Sequence, residues 1–319
     1  MEFADAIRLV SGIRDTLDVV VVGQPTVVEQ ATVALVAGGH LLLEGPPGTA
    51  KTLLVRAVAK TVASRYSRLQ FTPDLMPSDV VGVNVYRADT NRFEFQPGPI
   101  FGDIVLADEI NRAPAKTQAA LLEAMQERHV TVDGVAHALS PVFSVFATQN
   151  PIDYEGTYPL PEAQLDRFLL KTLVTYPAED AEREMLRRHR DGKDAESATD
   201  LGVVPVLSAK ELVELRAAAR TVTVQDPVLA YMSAMIRGTR GAPSLTLGAS
   251  PRAAVMLLRA CQALALLRGR TFVTPDDAKD LAAPVLRHRV VPTPETEIEG
   301  VTPDECIERV VRQVPVPRL

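Results

Sequence analysis

The sequence is poor in the residues that build redox or metal frameworks. Among 319 residues there are two cysteines and five histidines. Cys261 and Cys306 stand far apart without C-x-x-C spacing, so they read as buried thiols and not as a disulfide framework or zinc site. His40, His129, His137, His189 and His288 show no ligand spacing, which argues against a protein-bound transition metal. No apolar run is long enough to span a bilayer, and the opening MEFADAIRLV carries acids where a signal peptide has basic residues. The expected location is therefore cytoplasmic. Excess positive charge is also missing: a formal net charge of −6 and a pI near 5.5 argue against a general nucleic-acid binder. The chain has no internal repeat and no low-complexity tract.

What is present is the balance of a soluble globular protein, with 46% hydrophobic and 23% charged residues, and enough length for two domains. Two textures divide it. From about residue 20 to 176, short β-rich runs (HLLLEG, SRLQF, DIVLAD, VFSVFAT) alternate with helical patterns over 25–36, 51–65 and 115–128. That alternation predicts an α/β domain with a mostly parallel sheet covered by helices. After Tyr176-Pro177 the segments 179–190, 208–220, 226–237, 251–268 and 275–287 read as helices, with Ser208 and Thr274-Pro275 as start signals. The expected division is an α/β core over 1–176 and a smaller all-α domain over 177–319. The polar stretch 191–205 is expected to be a mobile loop.

Between a strand-like run and a helical one lies GPPGTAKTL, that is Gly45, Pro46, Pro47, Gly48, Thr49, Ala50, Lys51, Thr52 and Leu53. A phosphate cradle needs small residues so that backbone N–H groups approach the oxygens, a lysine for the outer phosphates and a hydroxyl for Mg²⁺. Gly45, Gly48, Lys51 and Thr52 supply these in order. The strict pattern has glycine where Ala50 stands, and the methyl group costs little if residue 50 has entered the helix with negative φ. The alternative is a glycine-rich turn with an exposed lysine.

Further along, the apolar strand DIVLAD ends in adjacent carboxylates, Asp108 and Glu109. Side by side these charges repel, so as pure structure they are costly. With Mg²⁺ present the pair has a purpose: Asp108 holds the metal together with Thr52, and Glu109 orients and deprotonates a water. A third strand, VFSVFATQN, ends at Asn150, where ligands bind in open α/β sheets; a turn residue before Pro151 is the plainer reading. In LPEAQLDRF, Arg167 is either the partner of Asp166 or a finger reaching a neighbouring subunit's γ-phosphate. In GASPRAAV, Ser250 and Pro251 begin a helix, which puts Arg252 in a first turn where the macrodipole disfavours a cation. A nucleotide phosphate or a surface ion pair would repair that mismatch.

GPPGTAKT, ADEINRAP, QNP and LPEAQLDRF in this order, then SPRA in a helical segment, resemble the MoxR branch of the AAA+ ATPases over nearly the whole chain. FTPDLMPSD, GPIF and ALLEAMQERHVTV fit it too, and alanine at the position of Ala50 is common in that branch. The resemblance implies an AAA+ P-loop core with β-hairpin insertions and a helical lid. It implies ATP and Mg²⁺ as ligands, with Lys51, Glu109, Asn150 and Arg167 in catalysis, Arg112 of NRAP being the alternative arginine across the subunit boundary, Arg252 as a second sensor, and Gly23 and Gln24 of VVGQ beside the adenine. It also implies a homo-oligomer, a hexameric ring, doing chaperone-like maturation of a client protein, metal or cofactor insertion included, with a von Willebrand factor A domain protein as partner. The hairpins have local support: VNVYRADTNRFEF alternates about a polar turn, and HVTVDGVAHAL carries Asp133-Gly134. A DNA-associated AAA+ motor and an ATP-gated adaptor with little turnover are the alternatives. A GTPase is disfavoured because N-K-x-D is absent.

Overall fold

The computed structural model describes residues 1–151, 157–191 and 203–318. Two helices come first, α1 (Phe3–Val20) and α2 (Pro25–Ala37). α1 has no counterpart in the sequence reading. It is held by Ala6, Val10, Ile13 and Leu17, a 3–4 spacing that puts one apolar face into the core. Pro25 starts α2 and Gly38, at φ 70°, ends it in the left-handed conformation that closes a helix. There follow β1 (Leu41–Glu44), α3 (Lys51–Thr61), β2 (Tyr66–Gln70), α4 (Pro77–Val81), and the hairpin β3 (Gly82–Arg87) and β4 (Arg92–Pro97). β5 (Ile104–Asp108), α5 (Ala115–Glu127), the hairpin β6 (His129–Val132) and β7 (Val135–Ala138), β8 (Ser144–Gln149), α6 (Glu162–Leu165) and β9 (Leu170–Leu173) complete the first part.

Five strands form one sheet in the order β2-β5-β8-β1-β9, every neighbouring pair parallel. β5 is buried along its whole length, and β8 is buried except for its last residue. That is how strands covered on both faces behave. The registers Glu44↔Gln149 and Gln70↔Asp108 bring the carboxyl ends of β1, β2, β5 and β8 to one edge. The loops that leave that edge carry Gly45, Glu109 and Asn150, where an open α/β sheet receives ligands.

Both expected hairpins are present, β3 with β4 and β6 with β7. Asp133 (φ 48°) and Gly134 (φ 81°) turn the second one with two left-handed residues, the conformation an Asp-Gly hairpin loop favours. The hairpins touch: the Phe95 and His137 rings stack 3.9 Å apart, and Asn84 Nδ2 donates to Asp133 Oδ2 at 2.6 Å.

The rest is helical: α7 (Glu179–Arg190), α8 (Ala209–Arg220), α9 (Asp226–Gly241), α10 (Pro251–Leu267), α11 (Pro275–Leu286), α12 (Pro294–Ile298) and α13 (Pro303–Gln313), with short strands β10 (Leu245–Leu247) and β11 (Val291–Pro292). Ser208 with Glu211, Thr274 with Asp277 and Thr302 with Glu305 form reciprocal capping boxes. Most of the loop expected at 191–205 lies outside the described residues.

Apolar packing ties the two textures together. One buried cluster runs from α1, α2 and α3 through Leu41 and Leu170 of the sheet into Leu212, Leu257, Leu264 and Leu281 of the helical part. The other face of the sheet is covered by a second cluster around Phe71, Leu122, Phe143 and Phe168. Among the described residues no helix is long and apolar enough to cross a membrane.

Candidate nucleotide site

The loop between β1 and α3 is built by residue type. A Cβ on Gly45 would stand 2.2 Å from the Val174 carbonyl oxygen, so only glycine fits against β9's continuation. Gly48 has open space around it but φ +80°, a conformational requirement and not a steric one. Ala50 corrects the sequence expectation: its φ is 61°, left-handed, and not the negative value of a residue already in the helix. The methyl group therefore carries strain that glycine would not. Lys51 Nζ folds back on the loop, donating to Gly45 O (2.9 Å), Pro46 O (2.6 Å) and Thr49 Oγ1 (3.3 Å). Burial lowers the Lys51 pKa, while the charges of Asp108 and Glu109 oppose that shift.

The two carboxylates do not face each other unshielded. Asp108 Oδ2 accepts from Arg68 Nη2 at 2.7 Å, and its Oδ1 accepts from Thr148 Oγ1 at 2.6 Å. Glu109 (φ 54°) leaves the strand in a left-handed turn, and its Oε2 accepts from Gln70 Nε2 at 3.1 Å and Arg112 Nη1 at 2.8 Å. Each acid thus has its own guanidinium, which offsets their mutual repulsion. Arg112 pairs with Glu109 of its own chain.

Two adjoining cavities open at this loop. One, of 700 Å³, is lined by the loop from Gly45 to Leu53, Pro46 apart, together with Arg56, Asp108, Glu109, Thr148 and Asn150. The other, of 470 Å³, joins it at Gly48–Ala50 and is walled by Val21, Gln24, Tyr176, Pro177, Met185 and Leu186, among others. An apolar slot beside a polar, lysine-bearing one suits a base and its phosphates. Gln24 is fixed by donating to Thr175 O at 3.0 Å. Gly23 does not line the slot but permits it, since a Cβ there would come within 2.3 Å of Ala181 Cβ on α7. Thr52 and Asp108 face the larger cavity with oxygen donors only, the donor set that fits Mg²⁺ and not a softer metal.

Arg167 and Arg252 are elsewhere. They share a 440 Å³ cavity with Arg128, Arg259 and His40, and none of its lining residues lines either nucleotide cavity. Asp166 is engaged by Arg289 at 2.6 Å, so it is not the partner of Arg167. Among the described residues neither the Arg167 nor the Arg252 side chain makes a hydrogen bond or ion pair. Sequence reasoning missed Arg68, Gln70 and Thr148, which reach the carboxylates from neighbouring strands, and the α7 wall. No local motif marks them, and only the strand order brings them in.

The chain is similar to known proteins along most of its length. The family model described as "ATPase family associated with various cellular activities (AAA)" matches residues 40–170, and an AAA lid domain model matches 237–310. Uncharacterized protein YeaC of Bacillus subtilis is 46% identical over 93% of this chain and 92% of its own. Chaperone MoxR1 of Mycobacterium tuberculosis is 42% identical over 94% and 80%, and Protein MoxR of Methylorubrum extorquens 32% over 93% and 92%. A solved structure from Cytophaga hutchinsonii, described provisionally as an ATPase, superimposes with a TM-score of 0.90 at 38% identity, covering 99% of this chain and 97% of that one. A phosphate-loop sequence after β1, a carboxylate-tipped strand two places away in the sheet and near full-length relatives of that name together make this chain a member of the MoxR family of AAA+ ATPases.

Proposed function

We propose that the protein is a ring-forming, Mg²⁺-dependent ATPase that uses hydrolysis to remodel or mature a client protein, as the name of the mycobacterial relative suggests. ATP enters with its base in the slot between Val21, Gln24 and α7 and its phosphates over the loop. Lys51 releases its contacts to Gly45 O and Pro46 O and turns to the outer phosphates. Thr52 and Asp108 would hold Mg²⁺, which supplies charge neutralisation at the β- and γ-phosphates. Glu109 orients and deprotonates the attacking water, and Asn150 at the end of β8 faces the same space.

The observation that carries the reading is the place of Arg167 and Arg252. Both are cations without an acid partner, gathered in a cavity apart from their own chain's loop. Arg252 also sits in the first turn of α10, where the helix dipole disfavours positive charge. A second copy that presents its γ-phosphate to this cavity answers both facts. Arg167 then acts as the finger and Arg252 as the sensor, each in trans. The ring is read as hexameric and cytoplasmic. Metal or cofactor insertion into the client, with a von Willebrand factor A domain protein as partner, is the specific task proposed.

Turnover per chain measured against protein concentration tests this. It should rise as subunits assemble, and adding Arg167→Ala chains to wild type should depress activity beyond simple dilution. Turnover that stays constant down to monomeric samples sinks the reading.

A further inference from the structure

Positive charge also collects away from the nucleotide cavities. A 380 Å³ cavity between α8, the α2–β1 turn and the segment leading into β8 is lined by Arg128, Arg216 and Arg220, and no acidic side chain lines it. Arg216 is only 7% exposed. Its Nε donates to Leu35 O at 3.0 Å and its Nη2 to Ser144 Oγ at 2.8 Å. Arg128 donates to Gly38 O at 2.9 Å and to Phe143 O. The Arg220 side chain makes no hydrogen bond or ion pair among the described residues.

Buried ions are ordinarily paired with opposite charge. Here carbonyl and hydroxyl oxygens fix the geometry of two guanidiniums without neutralising them. Burial lowers the Arg216 pKa to about 9, and the like charges of Arg128 and Arg220 push the same way. Arg128 is lowered by burial, then by Arg220 and Arg259. A single carboxylate would leave most of this charge unbalanced. A multivalent oxyanion would not, and the planar guanidinium fork matches its oxygens.

We propose that this cavity binds a small phosphate-class oxyanion, inorganic pyrophosphate being the form that best balances its charge, through Arg128, Arg216 and Arg220. The site is separate from the nucleotide loop and does not depend on the function proposed above. Arg128 borders both this cavity and the one holding Arg167 and Arg252, so an anion here also tempers the field around those two arginines.

The test is calorimetric titration of inorganic pyrophosphate, without magnesium and at fixed ionic strength, into the full chain carrying Lys51→Ala, so that the nucleotide loop cannot account for binding. One saturable site is expected. Arg220→Gln, an exposed change, should weaken it by about tenfold, the size of a lost charge-assisted contact, while Arg252→Gln should stay within about twofold, since it removes no contact to the anion. Absence of saturable binding overturns the proposal. So does unchanged affinity in Arg220→Gln, or a loss in Arg252→Gln matching that in Arg220→Gln, which would move the anion to the neighbouring cavity.

Discussion

Ala50 concentrates the residue-scale lesson. Its neighbours spell a phosphate loop, yet its backbone is left-handed at φ 61°. An alanine there costs about 1–2 kcal/mol relative to an ordinary conformation. Glycine at a normal helix start would instead lower stability by about 1 kcal/mol. Ala50→Gly should therefore leave urea stability unchanged or raise it by up to about 1 kcal/mol. A loss of about 1 kcal/mol would mean that residue 50 has negative φ after all. The same scale explains the paired carboxylates. Asp108 and Glu109 were visible as a costly pair in the sequence, but what makes them tolerable, Arg68 on one and Arg112 with Gln70 on the other, was not. Arg68 and Gln70 come from β2, nearly forty residues earlier in the chain and adjacent only because β2 pairs with β5.

At the scale of elements, legibility followed local chemistry. Asp133-Gly134 announced its hairpin because both turn residues must be left-handed. Ser208 and Thr274 announced their helices because each cap closes with an acid three residues on. α1 had no such signal: no side chain caps its first residue, and only its buried face identifies it. The contact between hairpins was equally silent, since Phe95 and His137 are far apart in sequence. Their stacking should couple the two insertions, with Phe93 near the tip of the first one 71% exposed. A double-mutant cycle with Phe95→Ala and His137→Ala should return a coupling of about 0.5–1.5 kcal/mol. Additive effects would show that the hairpins stand independently.

For the whole molecule, the change of texture after residue 176 is not a break in packing. Leu257 on α10 belongs to the buried cluster that also holds Val28 of α2 and Leu41 of β1. Leu257→Ala should lower stability by about 2–5 kcal/mol. Because the cluster is shared, it should shift the unfolding of core and helical part together, read by denaturation with probes in each. A variant that melts only the helical part would show that the two are energetically separate. The same long-range packing places Arg252 in a cavity apart from its own chain's loop.

The sequence by itself determined the class of fold, the loop and its lysine, the carboxylates and the helix caps. Each of these rests on a backbone or side-chain requirement met within a few consecutive residues. Only the tertiary structure decided which strands lie side by side, which arginines shield which acids, that α7 walls the apolar slot beside the loop, and that Arg167 and Arg252 share a cavity remote from Lys51. Periodicity says which face of an element is buried, but not which other element buries it. Strand order and lid placement are set by the mutual fit of distant apolar surfaces, and that fit leaves no local trace.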